Sequence, residues 1–434
     1  MSSDIRPENL RQWGIVGAGG AGFPAEVKCG AKAEMVIANA AECEPLLHKD
    51  KELLKAFPSE LISGLSAVMK MTGASKGVIG IKEKYTEVIN SLKQILPENI
   101  SIHPLGDFYP AGDEFILVYT ITRRVIPPGG LPIHVGCVVN NVETLINIGR
   151  ARPVVEKYLT VAGAVKKPAT ICVPIGITFR ECLALAGGAT IPEPVALVGG
   201  AMMGTLCTDW DAPVTKTTGG LIILPAQHTL IERYKRTPRQ IQRIGRSACD
   251  QCTYCTELCP RYLLGHPIQP HIAMRRLGFP NIEPIAVAGS LYCCECNLCT
   301  LWSCPEDLDP RAACIECKSA VRAAEIVPHQ KDAKPHPLIN GRCAPVKRLM
   351  KRLGLSEFVN KGPLQEKTAE TDKVRIPLKQ HIGVPAEAKV AAGQYVKTDE
   401  LIAAPPDGKL GACIHASISG RVVSVDSDIL IERG

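Results

Sequence analysis

The sequence predicts a multidomain protein with an α/β domain, a small α+β domain, a helical cysteine-rich domain and a C-terminal all-β module. The chain has 434 residues, 46% of them hydrophobic, which is enough for about two to four domains with apolar cores. It also has 19 cysteines, most of them between residues 236 and 350. A third observation, the change in apolar periodicity along the chain, gives the order of the domains.

The α/β domain is predicted for residues 1–150. The runs MVIANA (35–40) and KGVIGI (76–81) are typical of buried strands. Residues 51–71 have the apolar spacing of helices, and Pro58 marks a break between them. Strands that alternate with helices favour an α/β architecture.

The other domains are predicted from changes in composition. Residues 151–235 contain short β-rich runs separated by Gly and Pro, with one helical pattern, and are interpreted as the α+β domain. Residues 236–350 combine cysteine clusters with helical stretches. Residues 326–340 and 355–373 are polar and are interpreted as linkers. Residues 374–434 contain short strands between turn signals, which predicts the all-β module.

Composition excludes two classes of function. The net charge of +7 is modest and the basic residues are scattered, while aromatic residues make up only 4%, which argues against nucleic-acid binding. No apolar run of about 18 residues is free of charges or breakers, so we expect no integral membrane protein. The N-terminus lacks a signal-peptide pattern, and we expect a cytoplasmic protein. In that compartment, dense cysteine indicates metal or redox chemistry.

The most specific signal is a cysteine motif that occurs twice. The two copies are Cys249-x2-Cys252-x2-Cys255-x3-Cys259-Pro260 and Cys293-x2-Cys296-x2-Cys299-x4-Cys304-Pro305. Three cysteines at this spacing wrap one loop around an iron–sulfur cluster, and in two-cluster ferredoxins the fourth cysteine binds the other cluster. The motifs therefore predict two [4Fe–4S] clusters. The predicted ligands are Cys249, Cys252, Cys255 and Cys304 for one cluster, and Cys293, Cys296, Cys299 and Cys259 for the other.

Zinc and disulfides are the alternative interpretations of these cysteines. Zinc prefers two C-x2-C pairs and needs neither a third cysteine at that spacing nor a following proline. The second motif has one extra residue before Cys304, and Cys294 is a possible competing ligand beside Cys293. Cys314 and Cys317 lie on a helical pattern and are interpreted as core thiols.

Near the N-terminus lies a glycine-rich loop, residues 17–24. It matches the G-x-G-x-x-G pattern of dinucleotide-binding proteins, and Glu42 follows at about the right distance for a ribose ligand, so a Rossmann NAD site is one interpretation. The preceding strand is short for that motif. The loop itself predicts close approach of the backbone to an anionic group.

Four ordered segments resemble the flavin subunit of complex I and the C subunit of the Rnf complex. They are GGAGFP (19–24) with Lys28, NAAECEP (39–45), YPAGDE (109–114) and NNVETL (140–145). The resemblance implies that the glycine-rich loop binds FMN.

The resemblance extends along the chain. Residues 166–225 resemble an SLBB β-grasp domain, and the cysteine-rich domain resembles a two-cluster ferredoxin. The segments QHIGVP (380–385) and HASISG (415–420) resemble the barrel-sandwich module of the Rnf C subunit. A flavin domain at the start and a barrel-sandwich module at the end resemble the family of cobalamin reductases of propanediol-utilisation microcompartments.

The resemblance implies roles for individual residues. FMN phosphate and the isoalloxazine edge would be held by Gly19, Gly20, Gly22, Phe23 and Lys28. The flavin or its ribityl chain would accept hydrogen bonds from, or donate them to, Asn39, Asn140, Asn141 and Thr144. The nicotinamide nucleotide would face Glu42, Glu44 and Glu114. The sequence departs from complex I at Ala18, where the flavin subunit has arginine, and at Asp113-Glu114, where it has paired glutamates.

The implied reaction passes electrons from NADH through FMN and two [4Fe–4S] clusters to cobalamin, reducing cob(III)alamin toward cob(I)alamin. No catalytic residue is expected beyond those that hold the cofactors. The implied partners are an adenosyltransferase and a shell protein of a bacterial microcompartment, inside which the protein would act. Two alternatives are a non-catalytic electron-relay subunit and an oxidoreductase of another microcompartment type with a different acceptor.

Overall fold

The computed structural model describes residues 5–279, 283–326 and 332–433. A parallel sheet of order β3-β2-β1-β5 is the centre of the first unit. Its predicted strands, MVIANA and KGVIGI, are confirmed as β1 and β2, and both are almost entirely buried, as expected for strands covered on two faces. The strands of this unit are β1 (Met35–Ala40), β2 (Lys76–Lys82), β3 (Ile100–Leu105), β4 (Phe108–Tyr109) and β5 (Cys137–Asn141).

Helices cover this sheet. Pro58 begins the helix α4 directly after Phe57, which confirms the predicted break. Helices α4 and α7 cross closely because Gly64 lacks a side chain: a Cβ there would lie 1.8 Å from the Leu145 carbonyl oxygen. The helices are α1 (Pro7–Gln12), α2 (Ala25–Cys29), α3 (Lys49–Ala56), α4 (Pro58–Thr72), α5 (Thr86–Lys93), α6 (Glu114–Thr122) and α7 (Val142–Arg150).

The second unit is a mixed sheet with a helix packed against it. Its capping box is formed by Thr178 and Glu181 at the start of α8. Its elements are β6 (Glu156–Gly163), β7 (Ala169–Pro174), α8 (Phe179–Leu185), β8 (Pro194–Val198), β9 (Thr205–Leu206), β10 (Gly220–Pro225) and α9 (Thr229–Tyr234).

The cysteine-rich unit is helical. Besides α-helices it contains a 3₁₀ helix, Pro284–Tyr292, and one π-helical turn, Cys299–Ser303. Its helices are α10 (Pro238–Ala248), α11 (Tyr254–Glu257), α12 (Pro260–Leu263), α13 (Pro270–Gly278) and α14 (Pro310–Ala323), followed by α15 (Val346–Arg352). The short strand β11 (Ala344–Pro345) pairs antiparallel with β4 and so ties this part of the chain to the first unit.

The predicted linker 355–373 is partly a strand instead. Within it, β12 (Leu364–Thr368) pairs in parallel with β7 and completes a six-stranded sheet of order β12-β7-β6-β10-β8-β9. Its side chains are mostly exposed, which is why the sequence looks like a linker. The other predicted linker, 326–340, lies partly outside the described residues.

The last unit is the predicted all-β module. Two small sheets, of order β13-β19-β18-β15 and β14-β16-β17, enclose an apolar core that includes Val374, Ile402 and Ile431. The strands are β13 (Lys373–Pro377), β14 (Glu387–Ala388), β15 (Tyr395–Val396), β16 (Leu401–Ala404), β17 (Ile414–His415), β18 (Gly420–Val425) and β19 (Asp428–Glu432). Among the described helices, none has the length and apolar character needed to cross a membrane.

Candidate functional site

A cavity of about 450 Å³ lies at the carboxyl ends of β1 and β5, beside the glycine-rich loop. Ligands in open parallel sheets bind at this edge. The cavity is lined by nine of the twelve residues predicted for the flavin and nucleotide: Gly19, Gly20, Gly22, Phe23, Lys28, Asn39, Glu114, Asn140 and Asn141.

The glycine-rich loop presents bare backbone to this cavity. The loop closes through a hydrogen bond from the Gly17 amide to the Phe23 carbonyl, 2.9 Å long. A Cβ on Gly19 would lie 2.8 Å from Asn141 Nδ2, so a side chain there would displace the asparagine from the cavity wall. The loop therefore suits close approach of a phosphate.

Polar groups line the opposite side. Lys28 Nζ lies 2.6 Å from Glu114 Oε1 and also donates to the Val139 carbonyl. Asn39 donates to the Gly112 carbonyl at 2.8 Å. Asn140 is 4% exposed, and its Nδ2 has no hydrogen-bond partner among the described residues. A buried donor in a cavity wall indicates that a ligand acceptor completes it, and together these groups fit FMN.

Thr144 does not line the cavity but supports the loop from behind. The fully buried Thr144 hydroxyl accepts a hydrogen bond from the Ala18 amide at 2.9 Å. The Ala18 carbonyl faces Lys157 Nζ at 3.5 Å. These two contacts fix the inner end of the loop.

Glu42 and Glu44 lie outside the cavity lining as well. The carboxylate of Glu42 accepts hydrogen bonds from the Asp50 and Lys51 amides at 2.6 and 3.1 Å, in the first turn of α3. Glu44 accepts from the amides of Met202 and Met203, both at 2.9 Å, and so ties the first unit to the second. Both carboxylates therefore bind backbone in this structure. Their role toward a nucleotide stays a prediction.

Sequence reasoning missed a buried charge network beside the cavity. Glu143, 1% exposed, lies between Lys49, at 2.8 Å, and Lys157, which it contacts more closely still. Its second oxygen accepts from the Tyr158 amide at 3.2 Å. Burial opposes the charged form, but Lys157 and Lys49 hold the pKa of Glu143 below its usual range. The segment NNVETL was matched for its asparagines, and the chain carries no local signal for this network.

The first set of predicted cluster ligands comes together. Cys249, Cys252, Cys255 and Cys304 line one small cavity, although Cys304 is far from the others in sequence. Burial raises the pKa of the Cys255 thiol to about 12, and the neighbouring Cys304 adds to the shift.

The second set is Cys259, Cys293, Cys296 and Cys299. Burial raises the pKa of the Cys259 and Cys299 thiols, and the neighbouring Cys293 adds to both shifts. Contact with Cys294 and burial raise the pKa of Cys296, and Cys259 and Cys299 add to that shift. Two further thiols are close. Cys294 is a neighbour of Cys296, which lowers the pKa of Cys294. Cys314 is a neighbour of Cys293 and lowers the pKa of Cys293. Cys314 is part of the apolar core as expected, but its contact with Cys293 was not predicted.

The two motifs share one backbone shape. Gln251 and Thr253 in the first, and Glu295 and Asn297 in the second, have positive φ angles of 60°, 68°, 59° and 65°. Left-handed residues at equivalent places turn successive amides toward one concave site, the arrangement that surrounds iron–sulfur clusters. The extra residue of the second motif falls in the π-helical turn Cys299–Ser303, whose hydrogen bonds span one residue more than those of an α-helix.

One segment connects the cavity wall with the second motif. Tyr109, 1% exposed, donates its hydroxyl hydrogen to the Cys296 carbonyl at 2.7 Å. Arg261, next to Cys259-Pro260, bonds Asp113 at 2.8 Å and lies 3.5 Å above the Phe115 ring. The segment 109–114 therefore contributes to the cavity at one end and contacts the cysteine motif at the other.

Family models match four parts of the chain. They are the Nuo51 FMN-binding domain (10–150), the SLBB domain (158–206), the 4Fe-4S dicluster domain (248–309) and the RnfC barrel sandwich hybrid domain (357–433). The first match favours the flavin interpretation of the glycine-rich loop over the Rossmann NAD site. Together these domains define an oxidoreductase that transfers electrons, with a flavin-binding and an iron–sulfur domain.

Comparison with individual proteins gives the family. Cobalamin reductase PduS of Salmonella typhimurium is 44% identical over 443 residues, which cover 100% of this chain and 98% of the relative. Cobalamin reductase PduS of Citrobacter freundii is 44% identical, with 98% and 96% covered. The C subunit of the Na(+)-translocating ferredoxin:NAD(+) oxidoreductase complex of Acetobacterium woodii is 34% identical, with 61% and 59% covered. The chain belongs to the cobalamin reductase PduS family, which confirms the resemblance drawn from its sequence.

The Glu143 network makes a first prediction. Glu143→Gln leaves two buried lysines with Asp50 as their remaining carboxylate and is expected to destabilise the protein by about 3–5 kcal/mol in urea unfolding. Glu34→Gln, which breaks the exposed pair with Arg124, is the control and should cost less than about 1 kcal/mol. Equal stability of Glu143→Gln and wild type would contradict the prediction.

Glu44 makes a second prediction, on pH. Burial raises the pKa of Glu44 from 4.5 to about 7, against the effect of the Met202 and Met203 amides. The protonated carboxyl therefore contributes stability that is complete below pH 4.5 and is lost as the pH rises through 7. Relative to Glu44→Gln, the wild type should lose up to about 3 kcal/mol between those pH values. Parallel pH profiles of unfolding for the two proteins would contradict this.

Proposed function

We propose that this protein is an NADH-dependent reductase that passes electrons through FMN and two [4Fe–4S] clusters to cobalamin. The observation that carries the proposal is the segment 109–114, which lines the cavity through Gly112 and Glu114 and binds the second cysteine motif through Tyr109 and Cys296. A site for a hydride donor and a site for one-electron carriers lie side by side in one chain. Bound FMN would supply the chemistry that joins them, since it accepts a hydride and releases electrons singly.

The chain's own residues would bind and orient the flavin. The amides of Gly19 and Gly20 and the ammonium of Lys28 suit the phosphate. Asn39, Asn140 and Asn141 offer donors and acceptors to the polar parts of the flavin. Glu114 lies at the cavity wall and is the predicted acid best placed to meet a nicotinamide nucleotide, once Lys28 turns from it to the phosphate.

Two clusters are supported by the two motifs with matching left-handed residues. Cobalamin as the acceptor is supported by the name of the relatives that match along the chain. The location in a bacterial microcompartment, and an adenosyltransferase and a shell protein as partners, rest on the sequence resemblance.

A second candidate function is an electron-relay subunit that does not oxidise NADH. Specific observations favour it: Ala18 is buried where the flavin subunit of complex I has arginine, and Glu42 and Glu44 bind backbone amides rather than lining the cavity. Of the three acidic residues expected to face the nucleotide, only Glu114 then lines the cavity.

NADH reduction distinguishes the two functions. FMN-reconstituted protein, kept anaerobic, should lose its flavin absorption band on addition of one equivalent of NADH, and cob(III)alamin should restore it. A bound flavin that NADH leaves oxidised would favour the relay. Absence of flavin binding would overturn the assignment of the glycine-rich loop.

Two lysine variants test whether the flavin binds in the cavity. Lys28→Met should weaken FMN binding about tenfold or more, because it removes a cation from the phosphate site. Lys32→Met is the matched control, since Lys32 is exposed and does not line the cavity. Equal effects of both would contradict the placement.

Iron content tests the clusters. Wild type should hold about eight iron atoms per chain, four in each cluster, and Cys304→Ser should lose about four of them. Cys343→Ser, at an isolated half-buried thiol, should keep all of them. Loss of iron in Cys294→Ser or Cys314→Ser would show a different ligand set for the second cluster.

A further inference from the structure

We propose that the C-terminal β module is part of the flavin site, because its segment Gln380–Ile382 fixes the outer end of the glycine-rich loop. The inference rests on the proposed function in that FMN occupies the cavity. It assigns a positioning role to residues more than 350 positions away from the loop in sequence, in a domain with no flavin motif of its own.

The module touches the loop directly. The Ile382 amide donates to the Ala21 carbonyl at 3.1 Å. Gly22 has a φ of +74°, and a Cβ there would lie 2.6 Å from His381 Cβ and 2.7 Å from Thr217 Cγ2. Ala21 and Gly22 also line the cavity. The module therefore contacts Ala21 and Gly22 on the side opposite to the cavity that they line.

The two ends of the loop are fixed by different units. At the inner end, Ala18 is bound by Thr144 of the first unit and approached by Lys157 of the second. At the outer end, Ala21 is bound by Ile382. Gly19 and Gly20 lie between these points, exposed and without side chains. Glycine residues lose much conformational freedom on ordering, so fixing both ends lowers the cost of binding a phosphate between them.

Lys216 stabilises the contact between the β module and the segment that precedes the loop. Lys216 is 3% exposed, and its Nζ donates to the carbonyls of Gly14 and Cys413, each at 2.7 Å. Its amide donates to Gln380 Oε1 at 3.1 Å. One buried side chain of the second unit thus joins the segment between α1 and the loop to the β module.

The backbone of the same region adds a further bond. The Cys413 amide donates to the Arg11 carbonyl at 3.0 Å. A Cβ on Gly14, whose φ is +68°, would lie 2.2 Å from the Cys413 carbonyl oxygen. The approach of the module to the flavin unit is therefore too close for any larger residue at this position.

The test is FMN titration of the flavin-free, full-length protein, followed by quenching of flavin fluorescence. Ile382→Pro removes the amide that binds Ala21, whereas Ile382→Ala keeps it and trims a side chain that is 46% exposed. The proline variant should bind FMN about 2- to 10-fold more weakly, the worth of one backbone hydrogen bond, and the alanine variant should bind like wild type.

A second pair of variants tests the same inference without a proline, in case Ile382→Pro does not fold. Lys216→Met keeps the apolar stem but loses both carbonyl contacts, and should weaken FMN binding about tenfold or more. Lys373→Met, at an exposed lysine of the module paired with Glu432, is the control. Iron content per chain and the unfolding temperature of the flavin-free protein are measured on every variant.

A change of FMN affinity at constant iron content supports the inference. Ile382→Pro and Lys216→Met proteins that bind FMN as tightly as wild type overturn it. Joint loss of iron and flavin also overturns it, because the role would then be general folding. Failure of the wild type itself to bind FMN would overturn the proposed function, and is thus distinguishable.

Discussion

The buried carboxylate of Glu143, held between Lys49 and Lys157, joins three segments that lie beside the candidate flavin cavity. Lys49 begins α3, Glu143 lies in the first turn of α7, and Lys157 lies on β6 of the second sheet. Charges taken out of water are tolerated only when they are paired and hydrogen-bonded, so these segments cannot move apart without exposing or stranding a charge. The neighbouring Asn141 is bound to Asp50 at 2.7 Å, and Lys157 approaches the Ala18 carbonyl. The shape of the glycine-rich loop therefore depends on a network that lies outside the cavity lining.

The two lysines respond differently to the same partner. Burial lowers the pKa of Lys157 to about 8 in spite of Glu143. For Lys49, burial acts in the same direction, but Asp50 and Glu143 together raise the pKa above its usual value. The difference follows from the position of Asp50, which lies 3.1 Å from Lys49 and acts on it most strongly among its charged neighbours, whereas its effect on Lys157 is small and Lys49 itself lowers the pKa of Lys157. Of the two lysines, Lys157 therefore holds its proton less tightly, and it is also the lysine that approaches the loop.

Local sequence predicted the parts of the site in which function requires a fixed spacing. The cysteine motifs, the glycine-rich loop and NNVETL are short segments whose geometry is set by neighbouring residues. Partners distant in sequence were beyond this reasoning: Glu44 binds the amides of Met202 and Met203, and Cys314 meets Cys293. The strand β12 was not predicted, for a related reason. It lies at the edge of its sheet with exposed polar side chains, so pairing with β7, rather than an apolar pattern, makes it a strand.

A glycine-rich loop is a weak specification of a phosphate site, because the residues that permit close approach also permit many other conformations. In this protein the loop has few glycines, and residues outside the loop restrain its conformation. Thr144 of the first unit binds one end, and Ile382 of the β module binds the other end. Lys216 of the second unit binds both the segment before the loop, at Gly14, and the module, at Cys413. The entropy that glycine would lose on binding is thereby removed during folding, and the three-unit architecture becomes a condition of the site. Gly14 and Gly22 both have positive φ angles and are approached closely by other units. At Gly22, which also lines the cavity, the lack of a side chain serves both the ligand and the supporting domain.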